Sequence, residues 1–397
     1  MMSLLLAALA LVVVAIAAEL AARAWIRFRR AYYVCLPNQR LRLQIDRGTL
    51  PELDPIVRFD VNSDGERGSE VPRPPGSARL YRVLVAGGSQ AEGYLLDQEV
   101  NWPGALQTLL SSPRVAPALG APLVHVGSIA RSGVGSEALD LILERVLPRY
   151  PRLSAIVILV GASDMLRWLE EGAPDRPSSV VPTQELFRCH PEGPFGWSPQ
   201  TLAIAALARR AHRRLRRPER VHEQAGRWLR TARSMRARAK VVRATMPDPT
   251  PMLLHFEKHL RRSIERALAH ADRVVVVRQS WYSKSDALTP EELSHMWHGG
   301  AGQAWREDVT TYYSIDVTAR LMALIDASTA RVADELGVEQ VDLPSTLQPN
   351  LNTYYDYFHL TPSGASEVAA AIASVLARPR RTGHDGEVSP CADLRAS

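Results

Sequence analysis

The sequence predicts an α/β fold built on a parallel β-sheet, and three observations lead to this prediction. Short apolar runs alternate with helical patterns from residue 81 onwards, as in chains whose parallel strands are joined by helices. Residues 155–160, AIVILV, are wholly apolar, which is typical of a strand buried on both faces. With 46% hydrophobic and 23% charged residues in a chain of 397, the composition is globular and excludes collagen-like, coiled-coil or wholly disordered chains.

Each element of this fold has its own local signal. Short apolar runs bounded by turn residues predict strands at residues 81–86, 123–126, 155–160, 273–278 and 339–342. Helical patterns predict helices at 102–110 and 136–147, and Thr361 with Pro362 opens a last helix that ends at residue 376. We therefore expect an α/β domain at 81–378, an extended Pro-, Asp- and Gly-rich segment before it at 33–80, and a disordered tail at 379–397.

Residues 1–32 are predicted to anchor the chain in a membrane. Residues 4–22 are apolar except for Glu19, a length near the lower limit of about 17–25 residues for a spanning helix. No basic residue precedes this run, which favours an uncleaved single-pass anchor over a cleaved signal peptide or a buried helix. Four arginines follow it, and the positive-inside rule alone would leave the main domain in the cytoplasm: Arg23, Arg27, Arg29 and Arg30.

A long insertion, at about residues 167–270, separates the third and fourth predicted strands. Within this insertion, residues 209–243 contain 14 Lys and Arg and two Glu, a net charge of +12. Because the whole chain carries only +6, the rest of the chain has a net negative charge. Apolar residues recur at helical spacing between 202 and 243, which predicts a helix hairpin. Its basic faces are open to three interpretations: a solvated surface, a surface on anionic lipid headgroups, or a site for an acidic polymer. Because the basicity is confined to this segment, we expect no nucleic-acid partner.

Several other residues give weaker signals. Cys35, Cys189 and Cys391 are too few for a disulfide framework or a Cys-based zinc site, although a single Cys35–Cys189 bridge stays open. His295 and His298 have helical spacing but no evident third metal ligand, and His125 is expected to be a core histidine. An aromatic-rich stretch follows the fourth predicted strand and fits either a packed cluster or a sugar-stacking surface: Trp281, Tyr282, Trp297, Trp305, Tyr312 and Tyr313.

The first candidate catalytic residue is Ser89, in the turn Gly87-Gly88-Ser89-Gln90 directly after the first predicted strand. A serine on a tight strand-to-helix turn projects its hydroxyl from the carboxyl edge of a parallel sheet. The helix that follows supplies free backbone N–H groups there. A nucleophile with a nearby oxyanion hole is built from these parts, although Gly-Gly-Ser is also a common turn.

The second candidate is the pair Asp356 and His359, in the segment YDYFHLTPSG at residues 355–364. Three positions apart, the carboxylate can hold one imidazole nitrogen while the other faces a hydroxyl. Alone, this segment is equally consistent with a capped helix beside an unrelated histidine. Together with Ser89, it supplies the components of a Ser–His–Asp triad.

Four sequence blocks in this order resemble the SGNH (GDSL-type) hydrolase family of esterases, lipases and carbohydrate O-deacetylases. They are VLVAGGSQAEG at residues 83–93, GSIARSG at 127–133, VGASD at 160–164, and Asp356 to His359. The resemblance covers about 81–167 and 270–378 and implies a flavodoxin-like three-layer α/β/α fold. It leaves the insertion and the N-terminal segment without a counterpart.

The resemblance also implies roles for individual residues. Ser89 would be the nucleophile, His359 the general base and Asp356 the residue that orients it, with no metal or organic cofactor. The oxyanion hole would consist of the backbone N–H groups of Ser89 and Ala130 with the side chain of Ser163. The family pattern has Asp, Gly and Asn where this chain has Gly88, Ala130 and Ser163. A serine hydroxyl rotates freely, so this hole would be less preorganised.

The expected function is therefore hydrolysis of an O-acyl ester, on a cell-envelope carbohydrate or lipid, by a membrane-anchored serine esterase. Two alternatives are a polysaccharide O-acyltransferase of the same fold and a catalytically silent domain that binds glycan or partners at a membrane. Proteins with one N-terminal apolar helix and such a domain are expected outside the cytoplasm. The resemblance thus favours an extracytoplasmic domain, whereas the arginines after the apolar run leave the cytoplasm open.

Overall fold

The computed structural model describes residues 1–29, 31–73, 79–177, 182–193, 195–216, 218–284, 286–304 and 308–379. The predicted tail, apart from residue 379, lies outside the described residues, as do Arg30, Trp305 and Cys391. Cys35 is buried, and both it and Cys189 are free thiols. The bridge between them that the sequence left open is therefore not formed.

The N-terminal part combines one long helix with a strand pair. Helix α1 is long and apolar enough to cross a membrane, with a mean hydropathy of 2.7 over 18 residues, although a signal sequence near an N-terminus has the same properties. The segment predicted to be extended contains two strands that pair antiparallel. The elements are α1 (Met2–Phe28), β1 (Arg40–Ile45) and β2 (Ile56–Asp60).

The predicted alternation of strands and helices begins at residue 80. Asn101 caps one of these helices, since its side chain accepts the backbone N–H of Gly104, as expected of a residue favoured at N-caps. The strands are apolar because both sheet faces are covered, and Ile156, Val157 and Ile158 have no exposed surface. The elements are β3 (Leu80–Gly87), α2 (Ser89–Glu92), α3 (Trp102–Leu110), β4 (Leu123–Ser128), α4 (Ser136–Val146), β5 (Leu153–Leu159) and α5 (Ala162–Glu170).

The insertion is less helical than predicted. Residues 219–225 form an exposed strand that pairs parallel with β1, not part of a helix hairpin. Pro218 precedes this strand, and proline lacks the N–H and the freedom that continuing a helix needs. The elements here are α6 (Thr183–Leu186), α7 (Ala203–Arg216), β6 (Glu219–Ala225), α8 (Arg227–Ala237) and β7 (Val241–Arg243).

The last part of the chain completes the domain. The insertion ends earlier than the predicted residue 270, because its last helix is the crossover between two core strands and packs on α4. A short strand in this part pairs parallel with β7. The elements are α9 (Thr250–His270), β8 (Ala271–Arg278), α10 (Pro290–Ser294), β9 (Thr311–Tyr313), α11 (Ile315–Glu335), β10 (Glu339–Asp342), α12 (Leu343–Thr346) and α13 (Pro362–Leu376).

Five parallel strands form the central sheet in the order β10-β8-β5-β3-β4. Counted along the chain from the other edge, this is the 2-1-3-4-5 order of flavodoxin-like folds. Helix α3 packs with α13, whereas α9 packs with α4 and α11, as right-handed crossovers on the two faces require. The predicted fold is confirmed. In such a fold the ligand crevice lies at the carboxyl ends of the strands, where the strand order reverses beside β3.

Helix α1 contacts α7 through the one acidic residue of its apolar run. Glu19 is buried and accepts the backbone N–H groups of Ala203 at 2.7 Å and Ile204 at 3.0 Å, at the start of α7. It also accepts the guanidinium of Arg23 at 2.7 Å. An acidic side chain there satisfies N–H groups that a helix leaves free. Glu19 thus fixes the basic helix α7 against the C-terminal half of α1.

Candidate active site

The turn that carries Ser89 is tightly packed against β5. A Cβ on Gly87 would lie 1.9 Å from the carbonyl oxygen of Leu159, so only glycine fits there. The N–H of Gly88 donates to the same carbonyl at 3.1 Å. A Cβ on Gly88 would lie 3.0 Å from the carbonyl oxygen of Val134, which leaves little room for the Asp of the family pattern. This packing fixes Ser89 as the first residue of α2, at the carboxyl edge of the sheet.

Asp356 and His359 lie on a tight turn that begins after buried aromatic residues. The Oδ1 atom of Asp356 accepts the backbone N–H groups of Phe358 at 2.9 Å and His359 at 2.8 Å. Its Oδ2 atom lies 2.7 Å from Nδ1 of His359, and Nε2 of that imidazole lies 2.9 Å from Oγ of Ser89. The structure therefore brings the three residues predicted from the sequence into one hydrogen-bonded chain.

The environment keeps Asp356 ionised. This side chain has no exposed surface, and the indole N–H of Trp297 donates to its Oδ2 at 2.9 Å. Burial alone would raise the pKa of Asp356, but the charge of His359 and hydrogen bonds from His359 and Phe358 hold it well below its usual value. Burial lowers the pKa of His359, but the carboxylate of Asp356 outweighs this and raises it overall. The pair thus favours an imidazolium, the form a general base reaches on accepting a proton.

Two side chains that the sequence analysis did not single out hold this arrangement together. Gln90 is buried, and its amide N–H₂ donates to the carbonyl oxygen of Phe358 at 2.7 Å and to that of Ser280 at 3.2 Å. Arg233, on α8, donates to the carbonyl oxygen of Tyr355 at 2.7 Å. Gln90 directly follows Ser89 in the first sequence block, and this adjacency was the available signal; no pattern marked Arg233.

The predicted oxyanion donors lie beside the nucleophile turn. Ser89 is the first residue of α2, so its backbone N–H has no acceptor within the helix. The second block is held there by the N–H of Arg131, which donates to the carbonyl oxygen of Gly87 at 3.0 Å. The N–H of Ala130 contacts Oγ of Ser128 at 3.3 Å, a long hydrogen bond. The hydroxyl of Ser163 lies 3.5 Å from the point that a Cβ on Gly88 would occupy.

Asp164, the last residue of the third block, has a structural contact. Its carboxylate accepts both the backbone N–H of Ser136 at 2.9 Å and the hydroxyl of the same residue at 2.6 Å. Ser136 is the first residue of α4. Asp164 therefore caps α4 and fixes the third block against the loop that follows the second block.

The aromatic-rich stretch is mainly packed inside the protein. Tyr282 and Tyr312 have no exposed surface, and Tyr313 and Trp297 have 3% and 6%. Trp297 also lies nearly parallel to the imidazole of His359, with ring centroids 6.5 Å apart. This burial favours the packed cluster over a sugar-stacking surface for these four side chains, and Trp297 contributes to the candidate site through Asp356.

The other histidines noted in the sequence are not part of the hydrogen-bonded chain from Asp356 to Ser89. His125 is buried, as expected, with its Nε2 2.8 Å from a carboxylate oxygen of Glu66. Burial raises the pKa of Glu66, but the hydrogen bond with His125 and the charge of Arg82 outweigh this effect and lower the pKa to about 2. His295 contacts the carbonyl oxygen of Tyr355 through Nδ1. His298 is buried, with its Nε2 3.1 Å from Oγ1 of Thr318.

Comparisons with known proteins give similarities in structure alone. No protein-family model matches the chain, and no curated protein matches it. A catalytic mutant of Axe2, an acetylxylan esterase from Geobacillus stearothermophilus, is 11% identical, with 75% of this chain and 94% of that chain covered and a TM-score of 0.41. LAE5, an alpha/beta hydrolase enzyme from the metagenome of Lake Arreo, Spain, is 13% identical, with the same coverage and a TM-score of 0.40.

A member of the lipolytic protein G-D-S-L family from Veillonella parvula DSM 2008 is 10% identical. There, 76% of this chain and 100% of that chain are covered, with a TM-score of 0.40. These similarities concern the course of the chain.

Proposed function

We propose that the chain is a serine esterase of the SGNH type that cleaves an O-acyl ester. The observation that carries the proposal is the continuous chain of hydrogen bonds from Asp356 through His359 to Ser89, with atom separations of 2.7 Å and 2.9 Å. It lies at the carboxyl edge of the sheet, where flavodoxin-like folds bind their ligands. A buried carboxylate, an oriented imidazole and a partly exposed hydroxyl are the parts of a nucleophilic triad.

The proposed reaction proceeds in two stages. Nε2 of His359 accepts the proton of Ser89 while Oγ attacks the ester carbonyl, and Asp356 stabilises the imidazolium that forms. The imidazolium then donates its proton to the leaving alcohol, and an acyl-enzyme results. Water then gives a proton to His359 and attacks the acyl carbonyl. The bond from that carbonyl to Oγ of Ser89 breaks, His359 returns the proton to Oγ, and the acid leaves the free serine. No step in this sequence needs a metal or an organic cofactor.

The developing oxyanion would be held by the N–H groups of Ser89 and Ala130 and by the hydroxyl of Ser163. The N–H of Ala130 must leave its 3.3 Å contact with Ser128 to do so. Loss of one such donor costs about 10²–10³ in rate in a serine protease where it was measured. We expect Ser163→Ala to lower kcat by about tenfold or more with little change in KM. An unchanged kcat would show that Ser163 is not an oxyanion donor.

The proposed substrate is an ester on a carbohydrate or lipid of the cell envelope, because α1 would hold the site close to a membrane. We place the domain outside the cytoplasm, as the resemblance implies. A reporter fused after residue 379 tests this: activity of a periplasm-specific reporter is expected, and a reporter active only in the cytoplasm would refute the orientation.

The basic segment contributes to membrane contact only in part. In α8, Arg230 pairs with Asp46 at 2.9 Å, and Arg233 and Arg236 donate to backbone carbonyl oxygens of the α/β domain. In α7, by contrast, Arg209 and Arg214 are exposed, and α7 lies against α1. We therefore assign contact with anionic headgroups to residues 209–216 and a structural role to α8.

The experiment that tests the activity is hydrolysis of p-nitrophenyl acetate and longer acyl esters by the full chain in detergent. Turnover is expected for the wild type and a loss of roughly 10⁴-fold or more for Ser89→Ala and His359→Ala, as in other triads. Ser294→Ala is the control, because Ser294 is exposed on α10. No difference between the wild type and the triad variants would support the silent binding domain instead. Transfer to a sugar hydroxyl in competition with water would support the acyltransferase.

A further inference from the structure

A second cluster of chemically active side chains lies between α4 and α9, outside the hydrogen-bonded chain of the candidate site. Glu137 comes from α4, and His255 and His259 come from α9, four positions apart on one helix face. One potential ligand atom from each of the three lies within 4.8 Å of the other two. The proposed esterase mechanism uses none of them.

One of these histidines is held in a defined orientation. Nδ1 of His259 lies 3.0 Å from Oδ2 of Asp140, which leaves Nε2 as the nitrogen open to a ligand. Asp140 is itself fixed, because its Oδ1 accepts the guanidinium of Arg266 at 2.6 Å. A carboxylate behind the imidazole is the arrangement that orients histidine ligands in metal sites and raises their basicity.

We propose that Glu137, His255 and His259 form a binding site for a divalent transition metal of the zinc class. Two imidazoles and a carboxylate are a ligand set that zinc takes in sites with an open fourth position. The Nε2 atom of His255 lies 3.4 Å from Oε2 of Glu137. Two ligand atoms about 2.0–2.1 Å from a tetrahedral zinc ion are about 3.3–3.4 Å apart, so these two atoms already have the separation that the metal requires.

The surroundings leave room for the fourth ligand. The side chains of His255, Glu137 and His259 are 20%, 11% and 8% exposed. A cavity of about 30 Å³ lies beside Glu137 and His255, enough for a water molecule. Ser163, an expected oxyanion donor, lines the same cavity. The metal site therefore borders the candidate active site.

Charges on both sides of the cluster bear on the metal. The carboxylates of Glu137 and Asp140 contact the two imidazoles and favour a cation. Two basic residues are also near: Arg167 lines the same cavity, and Lys258 directly precedes His259 on α9. A bound ion must outweigh these two through direct coordination, which an alkali cation held by electrostatics alone would not do. The two imidazole nitrogens of the cluster therefore favour a metal that binds imidazole strongly.

The test is a titration of the untagged, EDTA-dialysed full chain in detergent with Co²⁺, followed by competition with Zn²⁺. We expect one equivalent of Co²⁺ to give a visible ligand-field absorption that Zn²⁺ abolishes. His255→Gln, His259→Gln and Glu137→Gln are expected to weaken binding by about 100-fold or more. His270→Gln is the matched control, because His270 lies on α9 but outside the cluster, and its affinity should equal that of the wild type.

A second measurement needs no variant and so does not depend on how the variants fold. Zn²⁺ is expected to protect His255 and His259 of the wild type from modification by diethylpyrocarbonate, mapped by mass spectrometry, and to leave His270 unprotected. The proposal is overturned if the wild type binds no stoichiometric Co²⁺ and Zn²⁺ protects neither histidine. It is also overturned if His270→Gln weakens binding as much as the cluster variants do.

Discussion

Replacement of Gln90 by methionine tests how the nucleophile turn and the His359 turn are held together. The buried amide N–H₂ of Gln90 donates to the carbonyl oxygens of Phe358 and Ser280 at 2.7 Å and 3.2 Å. Methionine has a similar length but no donor, so it leaves two buried carbonyl groups without that donor. Each such loss costs about 1–3 kcal/mol, so we expect the free energy of unfolding to fall by about 2–6 kcal/mol.

The activity should fall by more than the stability explains. Phe358 directly precedes His359, and a misplacement of about 1 Å at a reacting group can cost about 10²-fold in rate. We therefore expect Gln90→Met to lower kcat for a p-nitrophenyl ester by about 10²-fold with little change in KM. Unfolding is followed in denaturant, and activity is measured where the variant is folded.

Gln107→Met is the matched control for this variant. Gln107 also bonds two backbone groups, because its amide donates to the carbonyl oxygen of Val124 at 3.0 Å and accepts the N–H of Val126 at 2.6 Å. These bonds join α3 to β4 and do not involve the His359 turn. We expect a similar loss of stability with an unchanged kcat. Equal kcat losses in the two variants, or no loss in Gln90→Met, would refute the positioning role of Gln90.

Three further predictions concern charge and packing. The pKa of His359 is raised, so kcat/KM of the wild type should rise with pH through an apparent pKa above 6.5. Asp356→Asn should lower that pKa and reduce kcat by roughly 10⁴-fold. A pH profile of Asp356→Asn that is not shifted from that of the wild type would contradict this. Gly87→Ala should leave little folded protein by circular dichroism, because its Cβ would lie 1.9 Å from a backbone oxygen; a native spectrum would show that the turn adapts. The pKa of Glu66 is lowered to about 2. Its ionised carboxylate therefore stabilises the folded state by on the order of 3 kcal/mol above pH 4.5, and this contribution is lost as the pH falls towards 2. Glu66→Gln should flatten the dependence of Tm on pH in that window.

The core of the fold could be predicted from the sequence because each core strand carries its own local signal. The wholly apolar run AIVILV at residues 155–160 predicts a buried strand, and residues 155–159 lie in β5. The strand β6 was missed because its residues are exposed and their spacing also fits a helix. It exists through pairing with β1, a contact between residues far apart in sequence. Tertiary pairing of this kind overrides local propensity.

The candidate site divides in the same way. Ser89, Asp356 and His359 lie in short motifs whose residue types suggest their chemistry, and the structure brings them together. Gln90 and Arg233 act through backbone carbonyl groups, and only the adjacency of Gln90 to Ser89 pointed to either contact. Glu137 and His255 come from different helices, so their proximity depends on how α4 packs against α9.

Labelling of the full chain with a fluorophosphonate probe, followed by mapping of the modified residue by mass spectrometry, tests directly whether Ser89 is an activated nucleophile. The probe reacts with a serine only when the hydroxyl is activated as a nucleophile. We expect stoichiometric labelling at Ser89 in the wild type, strong slowing of the labelling in His359→Ala and no labelling in Ser89→Ala. A folded wild-type protein that is not labelled, or a label on a serine other than Ser89, would contradict it.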